Sequence, residues 1–192
     1  MLVEHGFVRA QLQDGREWTF TPSFGRLIEL GSPTEIVETF SELHSQRAPA
    51  VARQVLAALC DQDDASELIG WLDAESGADN AGAMPEREQV IIARHLMRHG
   101  ICGRAKDSES GGGDYSARFD AGEFMALARV HLGMSAEQAA ALSMSELQQL
   151  METKFPTEEQ RRRRNAPTLG ELEATERDIE AANARRKEPA HG

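Results

Sequence analysis

The chain has few aromatic residues, almost no cysteine and no long apolar run, and each shortage narrows what it can be. Aromatic residues supply 5% of its 192 positions. Aliphatic side chains and methionine must therefore fill the interior, which favours helices over a β-sandwich. Two cysteines, Cys60 and Cys102, cannot build a disulfide framework. Cys60 follows Val55-Leu-Ala-Ala-Leu59 and reads as a small buried apolar residue. No segment approaches the roughly 20 apolar residues that span a bilayer, so no membrane partner is expected. Glu4 and His5 stand where a secretory leader would have its apolar stretch, which points to a cytosolic protein. Positive charge is also short: 21 Lys and Arg face 32 Asp and Glu, a net charge of −11. That balance opposes nucleic acid or an anionic membrane as the main partner.

What is present is helix grammar. Phe7 to Leu12 broadly alternates, Asp14-Gly15 follows, and Glu17 to Phe20 comes next, a β-hairpin signal closed by Pro22. An isolated hairpin is marginal in water, so Phe7, Trp18 and Phe20 are expected to pack it on something. Ser23 to Leu30 reads as a short helix stopped by Gly31. Ser32-Pro33-Thr34-Glu35 opens the next with a capping box, and its face carries Ile36, Val37, Phe40 and Leu43. Pro49 to Cys60 and Ser66 to Glu75 give two more helices, the latter through Leu68, Ile69, Trp71 and Leu72. Gly77 to Ala83 reads as a linker. Pro85 opens a helix through Val90, Ile91, Ala93, Leu96 and Met97 that is expected to stop at Gly100. The Gly- and Ser-rich stretch 103–118 reads as a loop.

Phe119 to Pro156 is the densest run. Asp120 caps a helix stopped by Gly133. Ser135 with Gln138 caps a second helix, and Ser143 with Glu146 caps a third that carries Met144, Leu147, Leu150 and Met151. The expected organisation is a globular body over 1–156, comprising a hairpin (1–22), a first helical group (23–76), a linker (77–84) and a second helical group (85–156). A polar tail over 157–192 follows. The tail has eight acidic and eight basic residues, so the net −11 resides in the body. Its only large apolar residues are Leu169, Leu172 and Ile179, which could share a helical stripe. Glu176 and Asn183 interrupt it where a coiled coil would want apolar side chains. The fold class is mainly α with a small N-terminal β-hairpin (α+β).

No catalytic, cofactor or metal site is expected. His95-x3-His99-x2-Cys102 is the single metal-like spacing, but structural zinc needs four ligands, usually as two close pairs. Histidine near a helix C-terminus, favoured by the helix dipole, accounts for it better. Gly111-Gly-Gly113 lacks the Lys and Ser/Thr of a phosphate loop. Asp61, Asp63 and Asp64 lack the Gly and closing Glu of a calcium loop. Arg161 to Arg164 adjoin Glu158 and Glu159, and no aromatic residue in the tail could stack on bases.

Leu132 to Leu147 (LGMSAEQAAALSMSEL), with a helix ended at Leu-Gly, a short helix, and a Ser-x-x-Glu-Leu start, resembles the tail assembly chaperones of long-tailed bacteriophages. Pro167-Thr-Leu-Gly-Glu-Leu172 with Asn183-x-Arg185 is similar to the C-terminal stretches of such proteins. Phe20 to Pro33 and Leu96 to Ile101 are similar to uncharacterised phage proteins. The resemblance implies a non-enzymatic protein of the host cytoplasm that binds the tape-measure protein and recruits tail-tube subunits. A chaperone for a long helical client needs exposed apolar strips at helical spacing. Met144, Leu147, Leu150 and Met151 are candidates, methionine tolerating varied partners, and Leu169, Leu172 and Ile179 form a second strip. Self-association into a homo-oligomer is a further expectation. A structural particle component or a helical adaptor is the alternative, and a thiol or metal enzyme at His95, His99 and Cys102 a third.

Overall fold

A computed structural model describes residues 6–73, 75–103 and 117–156. The chain divides into two units, Met1–Lys154 and Phe155–Gly192, and all the described helices and strands belong to the first. It is mainly α with two small antiparallel hairpins.

β1 (Val8–Gln11) and β2 (Glu17–Phe20) pair with Val8 opposite Phe20 and Ala10 opposite Trp18. The Asp-Gly signal sits in a three-residue connection, with Gly15 N–H bonded to Leu12 C=O at 3.0 Å and Leu12 N–H to Arg16 C=O at 2.9 Å. The Asp14 carboxylate accepts from the backbone and the guanidinium of Arg16, which holds it below its usual pKa. Trp18 and Phe20 are buried, whereas Phe7 is half-buried beneath the Arg9 guanidinium.

The hairpin packs against the end of the third helix. α1 (Phe24–Leu27) runs into a 3₁₀ turn at Ile28–Leu30, and α2 (Pro33–Glu42) and α3 (Ala48–Leu59) follow. Thr19 C=O accepts from Asp61 N–H at 2.8 Å, and Thr21 N–H donates to Leu59 C=O at 2.9 Å. The segment leaving α3 thus pairs with the outer edge of β2.

α4 (Ser66–Ile69) is followed by β3 (Trp71–Leu72), which pairs with β4 (Asp79–Asn80). This corrects the expected helix over Ser66–Glu75 and the expected linker. The Leu68-Ile69-Trp71-Leu72 spacing suits a helix, but Gly70 lies at φ 80°, ψ 175°, where no helix continues. Leu68 and Ile69 are buried; Trp71 and Leu72 are 48% and 64% exposed.

α5 (Glu86–Met97) does not stop at Gly100. It continues as a π turn over Arg98–Cys102 and ends at Gly103, φ 74°. Gly100 is needed for close packing instead: a Cβ there would lie 3.0 Å from Leu27 and 3.1 Å from Pro22. α6 (Ala121–Leu127) also passes into a π turn (Ala128–Leu132) and ends at left-handed Gly133, as expected. α7 (Ala136–Ala141) and α8 (Met144–Lys154) complete the unit. The capping boxes at Ser32/Glu35, Ser135/Gln138 and Ser143/Glu146 all form.

The core centres on α3 against α5. α3 buries Val51, Ala52, Val55, Leu56 and Leu59, and α5 buries Gln89, Ala93, Leu96 and Met97. Both sets recur at helical spacing, and the small Ala52 and Ala93 permit close approach. Phe24, Phe119 and Phe124 form a ring cluster, with centroids 5.2 to 6.3 Å apart. Gln89, 2% exposed, is the core's polar tie: its Nε2 donates to Ile69 C=O at 3.0 Å and Met84 C=O at 2.9 Å.

Candidate functional site

Two glycines build the site. The chain reverses after α4 and returns through Asn80 to Gly82 so closely that side chains are excluded. A Cβ on Gly70 would lie 2.4 Å from Asn80 O, and one on Gly82 would lie 2.3 Å from Gly70 N. This crossing turns the β3–β4 hairpin outward and presents Trp71 and Leu72 to solvent. The hairpin's own turn is held by Asp73, whose carboxylate accepts from Ser76 N–H at 2.8 Å and Glu75 N–H at 2.9 Å. Those bonds hold its pKa below the usual carboxylate value.

Between this hairpin and the outer face of α3 lies a hollow of about 600 Å³. Ala50, Ala57, Ile69, Trp71 and Leu72 give it apolar walls, while Asp63, Asp64, Asp79 and Glu86 rim it against one guanidinium, Arg53. Arg53 ties α3 to β4: Nη1 lies 2.6 Å from Asp79 Oδ1, and Nη2 lies 4.0 Å from Glu86 Oε1. Its Nε is buried and meets no acceptor. Four carboxylates around an exposed indole suit a group that is cationic and apolar together, such as a lysine- or arginine-bearing helix or strand.

The partner strip expected on α8 is not presented. Met144 and Leu147 are 6% and 3% exposed, Met151 is half-buried against the core, and Leu150 alone, at 39%, reaches solvent. The apolar spacing of α8 turns inward, onto the π turn after α5. Leu169, Leu172 and Ile179 lie outside the described residues, as does most of the 103–118 loop.

The His95, His99, Cys102 set does not make a metal centre. Among the described residues no group of three His, Cys, Asp or Glu is placed to hold a metal ion. The His95 and His99 rings lie 4.6 Å apart, and His99 Nδ1 lies 2.8 Å from Ser145 Oγ. That serine–histidine contact joins positions 46 residues apart, which no local pattern signals. Ser145 is fully buried, so the contact fastens α8 to the π turn rather than offering a nucleophile. Burial pushes the Cys60 and Cys102 thiols up and the His95 imidazole down, opposite to what an activated thiol needs.

Among the described residues no helix is long and apolar enough to cross a membrane. Residues 46–168 match a family of unknown function, DUF6246, and with more than half of its length matched the chain belongs to that family. The match contains the whole Trp71 hollow and leaves out the β1–β2 hairpin. No curated protein and no solved structure matches the chain.

Proposed function

We propose that this protein acts by binding another protein, as a tail assembly chaperone of a long-tailed bacteriophage working in the host cytoplasm. Its client is the tape-measure protein, and tail-tube subunits are recruited to the complex. The observation that carries a binding role is the exposed pair Trp71 and Leu72 beside a hollow rimmed by four carboxylates. Large apolar side chains held out by a built hairpin are costly to leave in water unless something covers them. The likeness of Leu132 to Leu147 to the phage chaperones supplies the particular reading.

The chemistry of the client follows from the hollow. A helical segment bearing Lys or Arg beside Leu or Met places its cation over the indole and among the carboxylates, and its apolar face on Leu72.

The test is co-expression with the tape-measure and tube proteins encoded nearby, followed by tagged capture. The full chain is expected to retain the tape-measure protein. A Trp71→Ala, Leu72→Ser variant, altered only where the side chains are exposed, is expected to keep its fold and lose about tenfold or more in affinity. Undiminished capture by that variant would show that the client binds elsewhere than the hollow. Recovery of the bait alone would overturn the chaperone reading.

A further inference from the structure

A second surface, separate from the Trp71 hollow, has the features of a strand-docking groove. It lies on the opposite side of α4, along the outer edge of β1. Thr19 turns both its backbone groups away from β1: its N–H donates to Gln62 Oε1 at 2.9 Å and its C=O accepts from Asp61. Arg9 stands opposite Thr19, so Arg9 also points its N–H and C=O away from its neighbour strand. By the two-residue period, and because Leu12 bonds back to Arg16, Gln11 does the same. Four backbone groups at strand spacing thus face outward, and no described residue bonds to them.

They face a groove of about 480 Å³ between β1 and α5. Its floor is apolar: Val8, Ala10, Leu68, Met84, Ile91 and Ile92. Ile91 is 56% exposed on a helix whose opposite face is core.

We propose that this groove receives an extended segment of another protein, added to β1 as a third strand, with apolar side chains at alternate positions. The outward backbone edge selects the occupant. A helix laid in the groove would cover the outward N–H and C=O groups of Arg9 and Gln11 without pairing them, whereas a strand pairs all four while filling the apolar floor. A second copy of β1 cannot serve. Its apolar side chains, Val8, Ala10 and Leu12, are already packed on its own core, and what it has left to offer is Arg9 and Gln11.

The experiment uses the full chain, isotope-labelled, titrated with an alternating Thr/Val heptapeptide and with a peptide of the same composition in two blocks. The alternating peptide is expected to saturate, to protect the Arg9 and Gln11 amides from exchange, and to shift Met84, Ile91 and Ile92. Gln11→Pro removes an N–H that has no partner among the described residues, and Ile91→Asp charges the exposed floor. Each is expected to weaken binding about tenfold or more with an unchanged circular dichroism spectrum. The inference is overturned by equal binding of the block peptide, by shifts at Ile91 without protection at Arg9 and Gln11, by self-association in place of binding, or by no saturation at millimolar peptide.

Discussion

Alanine at Gly70 should be strongly destabilising. Two separable penalties meet there. Gly70 lies at φ 80°, ψ 175°, a region that only glycine occupies without strain, at about 1–3 kcal/mol for another residue. Its new Cβ would also stand 2.4 Å from Asn80 O and 2.7 Å from Gly82 N, backbone atoms that cannot swing aside, adding about 1–3 kcal/mol of overpacking. The total, about 2–6 kcal/mol, corresponds to a melting point lower by roughly 4–24 °C in a domain of this size. Two controls divide it. Gly82→Ala carries only the steric part, its Cβ meeting Gly70 N at 2.3 Å without a positive φ. Gly77→Ala carries only the conformational part, at φ 68° with nothing within 4 Å, so about 1 kcal/mol. Thermal melts of the three variants are expected to place Gly70→Ala and Gly82→Ala both well below Gly77→Ala. A Gly70→Ala protein that melts no lower than Gly77→Ala would refute the crossing that builds the hollow.

Gln89→Leu should destabilise the protein by about 2–4 kcal/mol in denaturant titration, because two buried carbonyls, of Ile69 and Met84, lose their shared donor. Ellman's reagent should titrate one thiol in the native protein, Cys102, and both only after unfolding, since Cys60 is buried. His95 should make stability fall as pH drops. Burial lowers its folded pKa below the ordinary 6.5, so the unfolded chain binds the proton first. The contribution is complete above about pH 6.5 and is lost progressively below it, above the carboxylate range. Comparison of melts at about pH 7.5 and 5.5 should show a smaller decline in His95→Gln than in the native chain.

Helix starts were the most legible part of the sequence because a cap is a local device. Ser32, Asp120, Ser135 and Ser143 each accept from backbone N–H groups two or three residues on. Helix ends were harder to read. Gly100 and Gly70 look alike in sequence, yet Gly100 keeps a helical backbone to admit Leu27 and Pro22, while Gly70 breaks the chain against Gly82. The difference is made by residues far along the chain, so no window around either glycine contains it. The direction in which the α8 strip faces was hidden for the same reason. The apolar spacing of α8 states that a face is covered but not by what, and Met144 and Leu147 are covered by this protein's own core. Trp71 and Leu72 had the same periodicity and proved to be the exposed pair. The Ser145–His99 contact and the outward edge of β1 arise from pairings across the fold and have no sequence signature.

Hydrogen exchange, measured with and without the proposed tape-measure client, shows directly whether the Trp71 hollow is a binding surface. New protection is expected over Trp71, Leu72 and Asp79, with the facing side of α3 around Arg53, and weaker protection at high salt because the hollow is acidic. A stable complex that leaves Trp71 and Leu72 as exchangeable as in the free protein would contradict that expectation.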